Sequence, residues 1–220
     1  MFAPEDTELS KALIEFALAD KRGPARTHIT RVSMHMALEN LVLAEDDASK
    51  TCLCISHSHP LAEVMGTVLA KRIITAYPEV NMLALPYEDA SFDFVVSDQV
   101  LEHVEGDPFR AVAESVRVAK PGGVIVHTSC FMNFMHMLPL DFWRFTPQSL
   151  ELLMKQAGAE VIKAGGWGNR AAWTYMQLGY RGRKVPEVAG NPIYELAIRN
   201  EKKWPVHTWV AARKPAARKG

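Results

Sequence analysis

At 220 residues, 48% of them apolar, the chain can bury one sizeable core, and a single domain is expected. Lysine plus arginine and aspartate plus glutamate number 25 each, which leaves no net field to draw the protein onto nucleic acid or an anionic membrane. No run of about eighteen apolar residues occurs, the first ten residues lack a basic-then-apolar leader pattern, and three cysteines cannot form a dense disulfide framework, so a cytoplasmic protein without membrane insertion is expected.

Leu9, Ala12, Leu13, Phe16 and Ala17 recur at helical spacing until Gly23-Pro24, which predicts a helix over 7–22. A second helix is predicted over 30–44, with Val32, Met36, Leu38 and Leu43 among its apolar positions. No internal repeat or linker follows. Residues 1–48 therefore read as an N-terminal helical cap on a core domain spanning 49–214, with 215–220 as a flexible basic tail. TCLCIS, 51–56, fits a strand buried on both faces, and Pro60 can start the next helix. A weaker strand over 72–76 passes through Tyr77-Pro78 into 80–85, with no central strand possible at the proline itself. FDFVVS, 92–97, is a clear apolar strand, and Asp107-Pro108 supplies cap and first-turn proline for a helix that Pro121-Gly122-Gly123 should stop. VIVHTS, 124–129, is the next strand; after an irregular loop, Thr146-Pro147 opens a helix carrying Leu150, Leu153, Met154 and Ala157, which Gly158 closes. A strand over 160–164, an amphipathic segment over 171–178 and a final strand over 204–212 complete an alternating β/α order, the pattern of a parallel sheet with helices on both faces.

Leu85-Pro86-Tyr87, Ser91-Phe92-Asp93, Val100-Leu101-Glu102-His103 and Lys120-Pro121-Gly122-Gly123 follow one another in this order. They resemble the middle of a class I S-adenosylmethionine (SAM)-dependent methyltransferase of the type 11 kind. The resemblance implies an α/β Rossmann-like fold: a mostly parallel central sheet, helices on both faces, and an antiparallel last strand at the end of the sheet. It also implies SAM as cofactor.

Ligands of open α/β sheets sit outside the carboxyl ends of the strands. Where the family carries a glycine-rich loop under the methionine part of SAM, this chain has Ser56, His57 and Ser58, then His59-Pro60. Glycine permits positive φ and close backbone approach, which histidine does not readily do. Either hydroxyls and imidazoles replace some contacts in a reshaped SAM site, or the site no longer binds SAM. The resemblance further implies Glu79 as the ribose-binding acid, Asn81, followed by Met82, at the adenine position, and Ser97, Asp98 and Gln99 beside the SAM amino group or the acceptor. Cys52, Cys54, His57 and His59 invite a zinc reading, but thiols within an apolar strand are ordinary core residues, so no metal is expected.

His136, Asp141, Trp143 and Arg144 lie in HMLPLDFWRFTP. This segment resembles a block of a methyltransferase subgroup linked to polysaccharide and surface-sugar modification. Methyl transfer to a hydroxyl requires the acceptor oxygen to lose its proton as the new bond forms, work suited to a histidine. His136 is the preferred base, with Asp141 orienting it and Arg144 holding an anionic or hydroxyl-rich acceptor. An Asp141–Arg144 ion pair that merely locks the loop is an equal alternative. His103 either faces the transfer region or packs the helix start. The expected function is O-methylation of a sugar or another small hydroxylated acceptor, with a homodimer possible. The rival is a methyltransferase-like binding or scaffold protein without transfer activity.

Overall fold

The computed structural model describes residues 4–137 and 139–216. Its helices are α1 (Pro4–Leu18), α2 (Ile29–Leu38), α3 (His59–Val64), α4 (Pro108–Val118), α5 (Pro147–Gln156), α6 (Arg170–Tyr175) and α7 (Pro192–Ile198). Its strands are β1 (Thr51–Ile55), β2 (Lys71–Ile74), β3 (Phe92–Asp98), β4 (Ala119–Cys130), β5 (Glu160–Trp167) and β6 (His207–Arg213). They form one sheet in the order β2-β1-β3-β4-β6-β5. β2, β1, β3 and β4 pair in parallel, and β6 runs antiparallel to both of its neighbours.

The strand period of two divides the core between the two faces of the sheet. Cys52, Cys54, Phe94, Val96, Val124 and Val126 pack on the side of α2, α6 and α7. Leu53, Ile55, Val95 and Ile125 pack on the other side with residues of α4 and α5. Helix α2 contributes Ile29, Val32, Met34 and Leu38 to the first cluster and so lies against the sheet itself. The three cysteines are free and buried.

Local signals account for most boundaries. The Asp107 side chain accepts from Phe109 N at the start of α4, and Thr146 accepts from Ser149 N at the start of α5. Helix α7, which the sequence reading did not anticipate, has the same device: Asn191 accepts from Ile193 N and Tyr194 N, with Pro192 in the first turn. The second helix stops at Leu38, short of residue 44, because Asn40 takes a left-handed φ of 54° and residues 43–45 form a separate 3-10 turn. No strand forms over 80–85, where Asn81 caps a turn by accepting from Leu83 N. Strand β4 begins at Ala119, before Pro121-Gly122-Gly123; its pairing jumps from Phe92↔Ala119 to Phe94↔Val124, so those residues are absorbed as an irregularity.

The last strand is antiparallel as expected, yet it lies inside the sheet and β5 forms the edge. Burial explains the exchange: His207 to Ala212 are all buried, while β5 exposes Glu160, Ile162 and Lys163. A strand apolar on both faces needs two neighbours, and charged side chains suit an edge. Of the anticipated tail, residues 217–220 lie outside the described ones. Among the described residues no helix is long and apolar enough to cross a membrane.

Candidate active site

A cavity of about 350 Å³ opens where β1 and β3 end, with Ser56, Asn81, Met82, Asp98, Gln99 and His103 in its wall. Its size is that of a small-molecule site. Ser56 and His57 adopt φ of 50° and 61°, the left-handed region that glycine would occupy without strain. The turn is held from outside: Thr75 O accepts from His57 N at 2.9 Å and Thr75 Oγ1 from Ser56 N at 3.2 Å. Ser58 Oγ donates to Ile55 O and accepts from Asp98 N at 2.7 Å, tying the end of β1 to the end of β3. The His57 side chain is exposed, and neither it nor His59 lines the cavity. The backbone therefore makes the glycine-type turn without glycine, and the imidazoles leave the cavity open.

Gln99, also at positive φ (56°), donates through Nε2 to Thr128 Oγ1 at 3.1 Å. Its buried Oε1 has no partner. Gln99 lines the cavity, and a buried carbonyl oxygen left unbonded is costly, which marks its amide as a group that an ammonium such as the one SAM carries would satisfy. Met82 is buried beside Asn81 and gives the cavity an apolar flank. Ser97 stands one step behind the wall, its hydroxyl 2.7 Å from His127 Nδ1; burial lowers the His127 pKa to about 3 and keeps that ring neutral. Glu79 is exposed and outside the cavity wall. Residues 75–77, which follow β2, carry no carboxylate, and Tyr77 takes the lining position there.

Two histidines meet beside the cavity. His103 lines the cavity, and its Nδ1 hydrogen-bonds the Leu140 carbonyl. A carbonyl only accepts, so Nδ1 carries the hydrogen and Nε2 is left with a free lone pair. The His103 ring meets that of His136 edge-on at 4.8 Å. His136 does not line the cavity: its Nε2 is 3.8 Å from Glu102 Oε1, its Nδ1 3.2 Å from Phe134 O and 3.3 Å from Asp141 Oδ2. Burial lowers the His136 pKa, so the ring is neutral at pH 7.

The Asp141 carboxylate is fully buried, accepts from His136 N at 2.9 Å and from Arg144 Nη2 at 2.7 Å, and is held near pKa 2 chiefly by Arg144. Arg144 also donates to Trp143 O at 2.8 Å. Its guanidinium is thus committed inside the loop. Glu102, which the sequence reading did not single out, anchors that loop: its carbonyl accepts from Phe142 N and Trp143 N, and its carboxyl accepts from Ser129 Oγ at 2.7 Å. Burial raises the Glu102 pKa, and Oε1 has no hydrogen-bond partner. Glu102, Cys130 and His136 bring ligand-type atoms within 4.8 Å of one another. The positive charges of Arg144 and Arg181, felt by Cys130 and Glu102 alike, oppose a cation there.

Residues 32–127 match the family model described as a methyltransferase domain. A Mycobacterium (strain KMS) protein named as an uncharacterized methyltransferase is 37% identical over 70 residues, 32% of this chain and 24% of that protein. The matches span between 12% and 24% of the first curated relatives. Among solved structures, the [4+2]-cyclase SpnF aligns over 97% of this chain and 95% of its own, at 16% identity and a TM-score of 0.50. Haemonchus contortus phosphoethanolamine N-methyltransferase 2, in complex with SAM, aligns over 84% of this chain and 53% of its own, at 14% identity and a TM-score of 0.50. The structural likenesses show the Rossmann-like fold, and the family match implies SAM as the cofactor.

Proposed function

We propose that the chain transfers the methyl group of SAM to a hydroxyl of a small acceptor, with a sugar as the favoured class. The observation that carries this reading is a single cavity lined both by Gln99, whose Oε1 is unpaired, and by His103, whose Nε2 keeps a free lone pair. SAM, when bound, supplies an electrophilic methyl carbon on a sulfonium. Gln99 and Asp98 would hold its amino end, Ser56 the methionine part, and Asn81 and Met82 the adenine side. His103 Nε2 would take the hydroxyl proton as the oxygen–carbon bond forms and the carbon–sulfur bond breaks, leaving a neutral thioether. His136, Asp141 and Arg144 act one step back: they fix the loop whose Leu140 carbonyl orients His103. The sugar preference is supported by the resemblance of HMLPLDFWRFTP and by exposed Phe142 and Trp143, whose faces suit a pyranose.

The missing carboxylate after β2 favours a second reading, a binding protein without transfer activity. Calorimetric titration with SAM and S-adenosylhomocysteine, followed by radiolabelled methyl transfer to a panel of sugars and nucleotide sugars, separates the two. We expect micromolar-range SAM binding. His103→Ala should lower kcat by roughly 10²–10⁴ while leaving the SAM dissociation constant within about threefold, since Nε2 is only one contact. Absence of SAM binding at millimolar ligand would overturn the enzyme reading; full activity of His103→Ala would remove His103 from it.

A further inference from the structure

The segment that joins β4 to Phe145 turns apolar side chains outward. Phe134, Met135, Met137, Leu140, Phe142 and Trp143 are all exposed, Met135 to 74% and Met137 to 56%. Single exposed apolar residues are ordinary, but six within 134–143 make a surface of the kind that marks a binding site. Apart from the neutral His136, the stretch 131–143 holds one titratable residue, Asp141, whose carboxylate is fully buried against Arg144. The outward face of its described residues therefore carries no charge.

The backbone beneath is fixed at both ends. Phe131 N donates to Val206 O at 2.9 Å and Met132 N to Pro205 O at 3.1 Å; Phe142 N and Trp143 N donate to Glu102 O at 2.8 and 3.1 Å. Trp143 Nε1 donates to Val104 O at 2.9 Å, and the Phe134 ring stacks on Trp173 at 4.9 Å. The apolar surface is thus preformed.

The same loop enters the cavity. Pro139, Leu140 and Phe142 line it with Val100 and Val104, and Leu140 and Phe142, which are also exposed, stand at its mouth. Among the described residues no lysine or arginine lines the cavity; its carboxylates are Asp98, paired with Arg31 at 3.3 Å, and Glu105, exposed at the mouth. A phosphate or carboxylate without a cation of its own would enter against that charge, whereas an uncharged hydroxyl would not.

We propose that the methyl acceptor is an uncharged molecule with a hydrocarbon arm, its hydroxyl head in the cavity and its arm along Leu140, Met137 and Met135. A second copy of the chain seated on this face would cover the mouth through which the acceptor enters, so the arm is assigned to the acceptor itself. Its part in methyl transfer rests on the methyl-transfer reading; binding of the arm does not.

Octyl β-D-glucoside, kept below its micelle-forming concentration, and methyl β-D-glucoside are titrated calorimetrically into the whole chain without SAM. The octyl compound should bind at least about tenfold more tightly, because only its arm adds apolar contact. The double variant Met137→Gln/Leu140→Gln, changed at exposed positions, should lose at least about threefold of that preference. Should it fail to fold, the Met135 and Met137 methyl cross-peaks of wild type must shift with octyl glucoside and stay in place with methyl glucoside. Octyl phosphate, the same arm on an anionic head, should bind at least about tenfold more weakly than octyl glucoside. Equal binding of the two glucosides, an undiminished preference in the double variant, unmoved methyl cross-peaks, or octyl phosphate binding as tightly as the glucoside overturns the proposal. So does a wild-type dimer in sedimentation that the double variant dissociates, since the face then covers a second copy; so does pelleting with phosphatidylcholine vesicles that the double variant loses, since the face then meets a bilayer. SAM titration of the same samples keeps the two readings apart: octyl glucoside binding without SAM binding refutes the enzyme, and SAM binding without an octyl preference refutes only the arm.

Discussion

Asp141→Asn removes the charge that pins the loop, and its effect can be worked from the pair itself. Arg144 and burial act on the carboxyl in opposite senses and Arg144 prevails, bringing it from 3.8 to about 2. At about 1.4 kcal/mol per unit, that difference is worth roughly 2.5 kcal/mol of folding stability. Breaking a buried pair costs about 3–5 kcal/mol, and with Arg144 26% exposed the low end, about 3 kcal/mol, agrees with the first figure. For a chain of this size the melting temperature should fall by roughly 6–12 °C. The folded pKa lies below the unfolded one, so the stabilisation is complete above about pH 5 and is lost as pH falls through 4 towards 2. Urea unfolding of wild type and variant should therefore show a constant gap from pH 7 to 5 that narrows below pH 4. A gap under about 1 kcal/mol at pH 7, or one unchanged at pH 3, refutes the ion-pair account. Arg144→Gln should destabilise similarly, and the double variant should fall short of the sum by about 2 kcal/mol.

Gln99→Ala removes the unpaired Oε1 of a cavity-lining residue and should weaken SAM binding by about 10–100-fold, the worth of a hydrogen bond to a charged group. Glu79→Ala, at an exposed position outside that wall, should change it less than about threefold; a tenfold loss measured by calorimetry would show that the 77–80 turn closes over the ribose. His57→Gly relieves a left-handed residue, worth roughly 1–2 kcal/mol, against about 0.4–1 kcal/mol of added unfolded-state entropy. Calorimetric melting should rise by about 1–4 °C, and a fall would mean that the exposed His57 ring makes a contact that matters.

What could be read in the sequence was what short-range physics determines. β1 and β3 are buried on both faces and read as such; Asp107-Pro108 and Thr146-Pro147 announced α4 and α5 through caps closed within three residues. Asn191-Pro192 carried the same signal for α7, and its seven-residue helix is too short to display the apolar period that would have drawn attention to it. The apolar run of β6 and the charged residues of β5 carry the reason that β6 lies inside the sheet and β5 at its edge.

The site was legible only in its local parts. Asp141 and Arg144 are three residues apart and meet as one of the alternatives required. At the cofactor loop the sequence left two readings open, because composition alone does not fix the backbone at residue 57: a left-handed φ is an energy to be offset, and the bonds that hold this turn, Ser56 N to Thr75 and Asp98 N to Ser58, span 19 and 40 residues. The choice between His103 and His136 turns on which ring nitrogen the Leu140 carbonyl occupies, a contact 37 residues apart. Arg31 meets His207 across 176 positions, and the segment after Arg181 reaches them through main-chain bonds to residues 27 and 28. Nothing in one sequence pairs such residues. Their unpaired donors become visible only when each buried nitrogen is asked for its acceptor, and it is that question, rather than any motif, that separates a committed arginine such as Arg144 from Arg181, whose buried Nε–H has no acceptor.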